Sequence, residues 1–431
     1  MAVTTSGIAP NAVTSRLRTS LTGTPGTLRA GLAACIVALA VFGTLAAKSA
    51  GDRREALADA RGAAAQSVLV QRVHTSLVKA DALASNAFLV GGLEPAALRD
   101  GYTQGIQTAT QTLATAAGNA RGGVLADVEA ANAALARYTG LIESARANNR
   151  QGYPVGVAYL RQASQLLANE VLPRLDAVSA ASQDAVGDAY SRSDNARWGL
   201  WLAGLLALAA LVACQVLLSR VTRRTLNVGL VAATALTVIA FGWGAASMSR
   251  AGSRADDVRS EEYRTAVALA DARIAAFSAK SAESLGLINR GNAALFEPDW
   301  LADHDAVVAA LASIDDAEGF DGVPSVDEIS AAFDDYAAVH EAVRAKDDVE
   351  GDWDGAVAIA TGFGTDESNG SFDRFDESSA ALVDRYAAAV DDDLGDTLGP
   401  LRTARLATLV LTVIAGVATA WGFNLRMKEY R

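Results

Sequence analysis

The chain has 431 residues, of which 51% are hydrophobic and 20% charged, with a formal net charge of −12. So high an apolar fraction beside so many charges fits a few membrane spans carrying soluble helical domains, and argues against a many-span transporter. The acidic balance repels nucleic acid and anionic lipid headgroups, which excludes nucleic acid as a partner.

Residues 1–29 carry Arg16, Arg18 and Arg29, no acids, and many Ser, Thr, Gly and Pro, which reads as a disordered cytoplasmic leader. The apolar stretch 30–47 is the first span. Although short and rich in Ala and Gly, it reads as an uncleaved anchor and not as a signal peptide, because the helices after it need the anchoring that their counterparts later in the chain have. Leu32-Ala33-Ala34-Cys35 looks like a lipoprotein cleavage box, but the apolar stretch follows Cys35 when it should precede it. Both cysteines, Cys35 and Cys214, fall inside spans, so the soluble parts must be stable through packing alone.

Residues 48–197 read as a first extracytoplasmic four-helix bundle. Val70, Val73, Leu77, Val78, Leu83, Phe88 and Leu89 recur at helical spacing and mark one long amphipathic helix. Gly91-Gly92 ends it, and Glu94-Pro95 opens the next, since Pro suits a first helical turn. Gly122-Gly123 separates the second helix from the third. Gly152-Tyr153-Pro154 turns into a fourth, which Pro173 is expected to kink.

Two apolar runs, 198–218 and 226–247, flank the turn 219–225, which holds Arg220, Arg223 and Arg224 and no acid. Each run has about the 20 residues that cross a ~30 Å hydrocarbon layer. So short a turn makes the spans antiparallel neighbours, and its arginines place it in the cytoplasm. The same three arginines are the candidate contacts for a cytoplasmic output partner. Trp198, Trp201, Trp243 and Trp421 sit near span ends, as headgroup-level rings do.

Residues 248–404 read as a second, acidic bundle, with 34 acids against 12 bases between Arg250 and Thr403. It repeats the first. Leu93-Glu94-Pro95 with Leu98 and Asp100 matches Phe296-Glu297-Pro298 with Leu301 and Asp303, and Asn86 matches Asn289. Tyr138, Glu143 and Arg146 match Tyr336, Glu341 and Arg344; Tyr153 matches Trp353; Arg174 and Asp176 match Arg374 and Asp376. Offsets between 198 and 203 across four ordered blocks indicate duplication of a span–bundle–span unit. The halves differ at Thr361–Ser371, a Gly/Ser/acid loop expected to split the last helix of the second bundle. A fourth span, 405–423, leads into the tail 424–431, which holds Arg426, Lys428 and Arg431 against Glu429. Both termini are therefore expected inside, on an all-α chain with four transmembrane helices and two tandem bundles. The expected cytoplasmic pieces leave no room for an output domain.

Catalytic constellations are absent, so no enzyme and no cofactor is expected. His74, His304 and His340 form no ligand-spaced pair and read as surface or half-buried helical residues; no metal site is expected. Glu350-x-Asp352-x-Asp354-Gly355 resembles the start of a calcium loop, but the twelfth position, which needs a bidentate Glu, is Thr361. An acidic turn at a helix N-terminus accounts for it. Arg146 and Arg344 lie near the ends of third helices, where a cation suits the dipole, and could also grip a carboxylate bidentately. With Tyr153 and Trp353 they are the candidate ligand or partner contacts.

A bundle whose first and last helices run into two spans resembles the four-helix-bundle sensor domain of chemoreceptors and histidine kinases. Two such units joined by the Arg220–Arg224 turn, with no output domain, are similar to the GlnX-like actinobacterial membrane sensors. That resemblance implies a plasma-membrane sensor of amino-acid availability. It would read a GlnH-like solute-binding lipoprotein outside and signal to a PknG-like Ser/Thr kinase inside. A direct amino-acid receptor, or a structural or transporter-accessory protein, is the alternative.

Overall fold

The computed structural model describes residues 24–90, 93–120, 123–222, 227–290, 293–314 and 320–428. Most of the leader, Gly91-Gly92, Gly122, Arg223, Arg224 and the last three residues of the tail lie outside them. Among the described residues the chain is all-α, with no strand. The helices are α1 Thr24–Val90, α2 Ala96–Asn119, α3 Gly123–Arg150, α4 Val155–Leu166, α5 Leu172–Asn195, α6 Arg197–Thr222, α7 Val228–Val258, α8 Arg264–Ile288, α9 Glu297–Ala312, α10 Val326–Arg344, α11 Trp353–Thr361 and α12 Ser368–Lys428.

They fall into two compact units. One gathers the described residues of Met1–Ala58, Ala189–Ala255 and Leu394–Arg431. Its apolar stretches, in α1, α6, α7 and α12, are long and apolar enough to cross a membrane, which fits a multi-pass membrane protein. Leu39, Leu211, Leu230, Ala415 and Phe423 fill its interior, while Leu202, Leu206, Val413 and Val417 are exposed, as side chains facing lipid are. Cys35 and Cys214 are buried free thiols. Asn227 starts α7: its side-chain oxygen accepts from the Gly229 amide (3.0 Å) and its Nδ2 donates to Gly422 O on α12 (3.0 Å).

The other unit holds Asp59–Asp188 and Asp256–Asp393 together. In its first half Val73, Leu77, Leu135, Tyr138, Leu160 and Val171 form a mostly aliphatic core. In its second half an aromatic core replaces it, in which Tyr336 and Phe277 both meet Phe372 edge-on, at 5.0 and 4.9 Å between ring centres. The halves share residues at the seam. Val78 and Ala82 of α1 belong to the second core, and Leu285 and Ile288 of α8 pack on the first.

Local sequence accounts for the breaks. Gly152 and Gly351 both take positive φ (72° and 67°) in the turns before α4 and α11, a conformation that suits residues without a Cβ. Asp352 caps α11, accepting from the Gly355 amide (2.9 Å), so the carboxylate that suggested a calcium loop serves a helix start. Ser325 and Glu328 form a capping box at α10. Ahead of Pro173 lies a π turn, Leu167–Val171, so the irregularity precedes the proline itself. The expected loop at 361–371 is shorter in the structure. The last helix begins at Ser368, within that stretch, because the Asn369 amide donates to Thr361 O (3.0 Å) and ties the new helix to the end of α11.

Candidate functional site

Where the halves of the second unit meet, α1 and α8 bury several polar side chains. Lys79 on α1 pairs with Asp376 on α12 (2.6 Å), whose carboxylate also receives Arg273 of α8 (2.5 Å). Arg72–Asp384 and Arg61–Asp391 (2.6 Å each) extend this seam with partly exposed pairs that each contribute at most about 1 kcal/mol. Asn86 donates to Ala360 O (3.0 Å) and accepts from Asn369 (3.0 Å), closing the seam at its other end.

Two further carboxylates are buried near the seam. Asp81 on α1 receives Tyr138 Oη (3.1 Å), Ser164 Oγ (2.9 and 3.1 Å to its two oxygens) and Ser281 Oγ (3.0 Å). Burial pushes its pKa up, against the three hydroxyl donors. Glu283 on α8 receives Lys280 Nζ (2.8 Å), Ser368 Oγ (2.7 Å) and His340 Nδ1 (2.9 Å). Burial pushes this carboxyl up too, but the Lys280 charge and then His340 outweigh it and hold the pKa at about 2.

His340 is 2% exposed, against the expectation of a surface or half-buried histidine. Two features drive it inward: it stacks flat on Trp300 (3.8 Å between ring centres, 8° between planes) and it lies between Glu283 and Glu297. Burial lowers its pKa, but the hydrogen bond to Glu283 and the nearby Glu297 carboxylate more than compensate and raise it above 6.5. A histidine raised in the folded state stabilises fully below its unfolded value and loses that contribution as pH rises through the folded one. The thermal midpoint should therefore fall as pH is raised above about 6.5, and His340→Gln should flatten that slope. An unchanged slope in the variant would place the titration elsewhere.

The expected site residues separate. Arg146 is engaged by Glu94 (2.8 Å) and Glu143 (3.0 Å) and lies over Tyr102. Arg344 is likewise engaged by Glu297 (3.0 Å) and by Asp348. Each guanidinium that a ligand carboxylate would need already holds the glutamate of the matched Glu-Pro step. Tyr153 is 55% exposed. Trp353 donates its indole N–H to Leu287 O (2.9 Å) and lies under Arg290. Arg220 is exposed in the last turn of α6; Arg223 and Arg224 lie outside the described residues. Arg174 reaches Asp127 and Arg374 reaches Asp335, a matched pair of links between third and fourth helices. Among the described residues no group of three or more His, Cys, Asp or Glu is placed to hold a metal ion.

Sequence reasoning missed Asp81, Lys280, Glu283 and Ser368. The available signal was an acid among mostly apolar or small neighbours on each helix, Asp81 on α1 and Glu283 on α8.

A cavity of about 480 Å³ opens beside Asp81, between α1, α4, α8 and α9. A second, of about 250 Å³, lies along the Lys79 seam, with Arg72 and Arg273 in its wall.

Residues 56–191 match the actinobacterial sensor domain. The sensor-domain stretch runs from α1 to α5, and it contains Asp81, Tyr138 and Ser164. The match supports a sensor or signalling role. No curated protein and no solved structure matches the chain.

Proposed function

We propose that the chain is a non-enzymatic transmembrane sensor that reads an extracytoplasmic solute-binding protein and relays its state to a cytoplasmic partner such as a Ser/Thr kinase. The observation that carries this reading is the sensor-domain match over 56–191, on a chain with four apolar helices long enough to span a membrane. Positive charge in the Arg220–Arg224 turn favours a plasma-membrane orientation with that turn and both termini inside. The GlnX-like resemblance supplies the partner classes: a GlnH-like lipoprotein outside and a PknG-like kinase inside.

Spanning helices continue in sequence into α8 and into the sensor-domain part of α1. A partner that prefers one packing of these helices would slide the spans by roughly 1–2 Å. It does so only through its different affinity for the two packings.

Cross-linking in membranes with and without added amino acid, followed by purification of the tagged chain, tests this. A solute-binding lipoprotein should be recovered in an amino-acid-dependent amount. Recovery of no such protein in either condition sinks the proposal.

A further inference from the structure

The buried carboxylates Asp81 and Glu283 differ in how they are neutralised. Glu283 is a buried carboxylate neutralised from within, by Lys280 one helical turn earlier and by His340. The first half also buries a carboxylate, Asp81, but one helical turn earlier it has Val78, where Lys280 precedes Glu283. All the side-chain hydrogen bonds that Asp81 receives come from hydroxyls, none from a cation. A carboxylate removed from water without a counter-charge is costly. Beside Asp81 there is open space: the cavity of about 480 Å³ is lined by Asp81, Ser164, Ser281 and Val78.

We infer that this cavity is a binding site for a small primary-ammonium compound with an apolar body, whose charged head gives Asp81 the counter-charge that Lys280 gives Glu283. The hydrogen-bond inventory fits such a head. A carboxylate offers about four acceptor positions, and Asp81 receives three hydroxyl hydrogens, leaving one open. Ser164 and Ser281 spend their hydrogens on Asp81, so both oxygens keep lone pairs for an incoming donor. That makes three acceptors for the three N–H groups of an ammonium. Phe277, Phe296, Leu172 and Leu285 line the remainder of the wall and suit an apolar body. The wall also carries Asp299, Asp303 and one cation, Arg161, so with Asp81 three acids face one base, a balance that favours a cation over an anion. Because Ser281 belongs to α8 and Asp81 to α1, an occupied site would clamp the two halves together at the seam. The inference does not depend on a protein partner being read.

Calorimetry on the purified full chain in lipid nanodiscs tests it with three probes of one shape: 2-phenylethylammonium, its N,N,N-trimethyl analogue, and 3-phenylpropanoate. The primary ammonium should bind, with the trimethyl analogue weaker by about tenfold or more, the loss expected when hydrogen bonds to a charged group are removed. The carboxylate should show no heat. Val78→Lys, which sets a lysine one turn before Asp81 as Lys280 stands before Glu283, should abolish binding and raise the thermal midpoint. Ala282→Phe, which fills the cavity, should abolish binding without adding charge. The inference is overturned by equal affinity for the three probes, by binding of none of them, or by full-strength amine binding in a folded Val78→Lys chain. The three-probe comparison needs no variant, so a misfolded variant cannot leave the question open.

Discussion

Lys280→Met should lower the stability of the full chain by about 3–5 kcal/mol, the range for removing one partner of a buried ion pair. Lys280 and Glu283 are 4% exposed each, and 2.8 Å separates their charged atoms. Methionine keeps most of the side-chain volume, so the loss would be electrostatic more than steric. Glu283 would keep only Ser368 and His340, and its carboxyl, now held at about 2, would climb toward its ordinary range. Lys280 also donates to Ser368, the first residue of α12, so the junction between α11 and α12 loses a tie. Thermal unfolding of the solubilised chain reads the effect. Adding Glu283→Leu to the variant should restore part of the loss, because no orphaned charge then remains. A loss below about 1 kcal/mol would mean the pair behaves like an exposed one, and its burial would count for little.

Much of this architecture could be read from residues. An apolar run of 21 residues such as Trp198–Leu218 has few soluble explanations, and its match with a spanning helix followed from length alone. The helix starts at Glu94-Pro95 and Gly152-Tyr153-Pro154 were visible because Pro and Gly act locally. Neighbours were not visible. Helical periodicity says which face of α1 is apolar but not that Val78 and Ala82 join the core of the second half. For the same reason Arg146 and Glu94 stood in separate matched blocks, the one read as a helix-end cation or ligand contact and the other as a helix start. Their pairing needs the chain to come back on itself across two helices. Asp81 was hidden differently: it matches no acid in the second half, and its hydroxyl donors Tyr138, Ser164 and Ser281 come from three other helices. Ser368 was hidden by its setting, because a run of Gly, Ser and acids reads as loop although a tertiary hydrogen bond from Asn369 starts a helix inside it.

The second large effect is expected where α7 and α12 cross. A Cβ added at Gly229 would lie 2.5 Å from Gly422 Cα and 2.6 Å from Ala418 O. Both obstacles are backbone, so no rotamer change relieves them and the helices must move apart. Small residues at such crossings let backbones approach where there is no hydrophobic drive to associate. Separation would also break the hydrogen bond from Asn227 Nδ2 to Gly422 O, leaving a buried amide without a partner in an apolar setting. Overpacking of this kind costs about 1–3 kcal/mol, and the lost amide partner adds a further ~1–3 kcal/mol. Gly229→Val should therefore give a chain that reaches membranes in reduced amount and aggregates on heating well before the wild type, read by size-exclusion of a fluorescent fusion. Gly242→Val is the control: it lies on the same helix, α7, and an added Cβ there meets nothing within 4 Å. Equal heat-aggregation profiles for the two variants would show that valine in α7, and not the crossing with α12, sets the loss. A normal profile for Gly229→Val would mean that these backbones do not approach so closely, and that the Asn227 link is made across a wider gap.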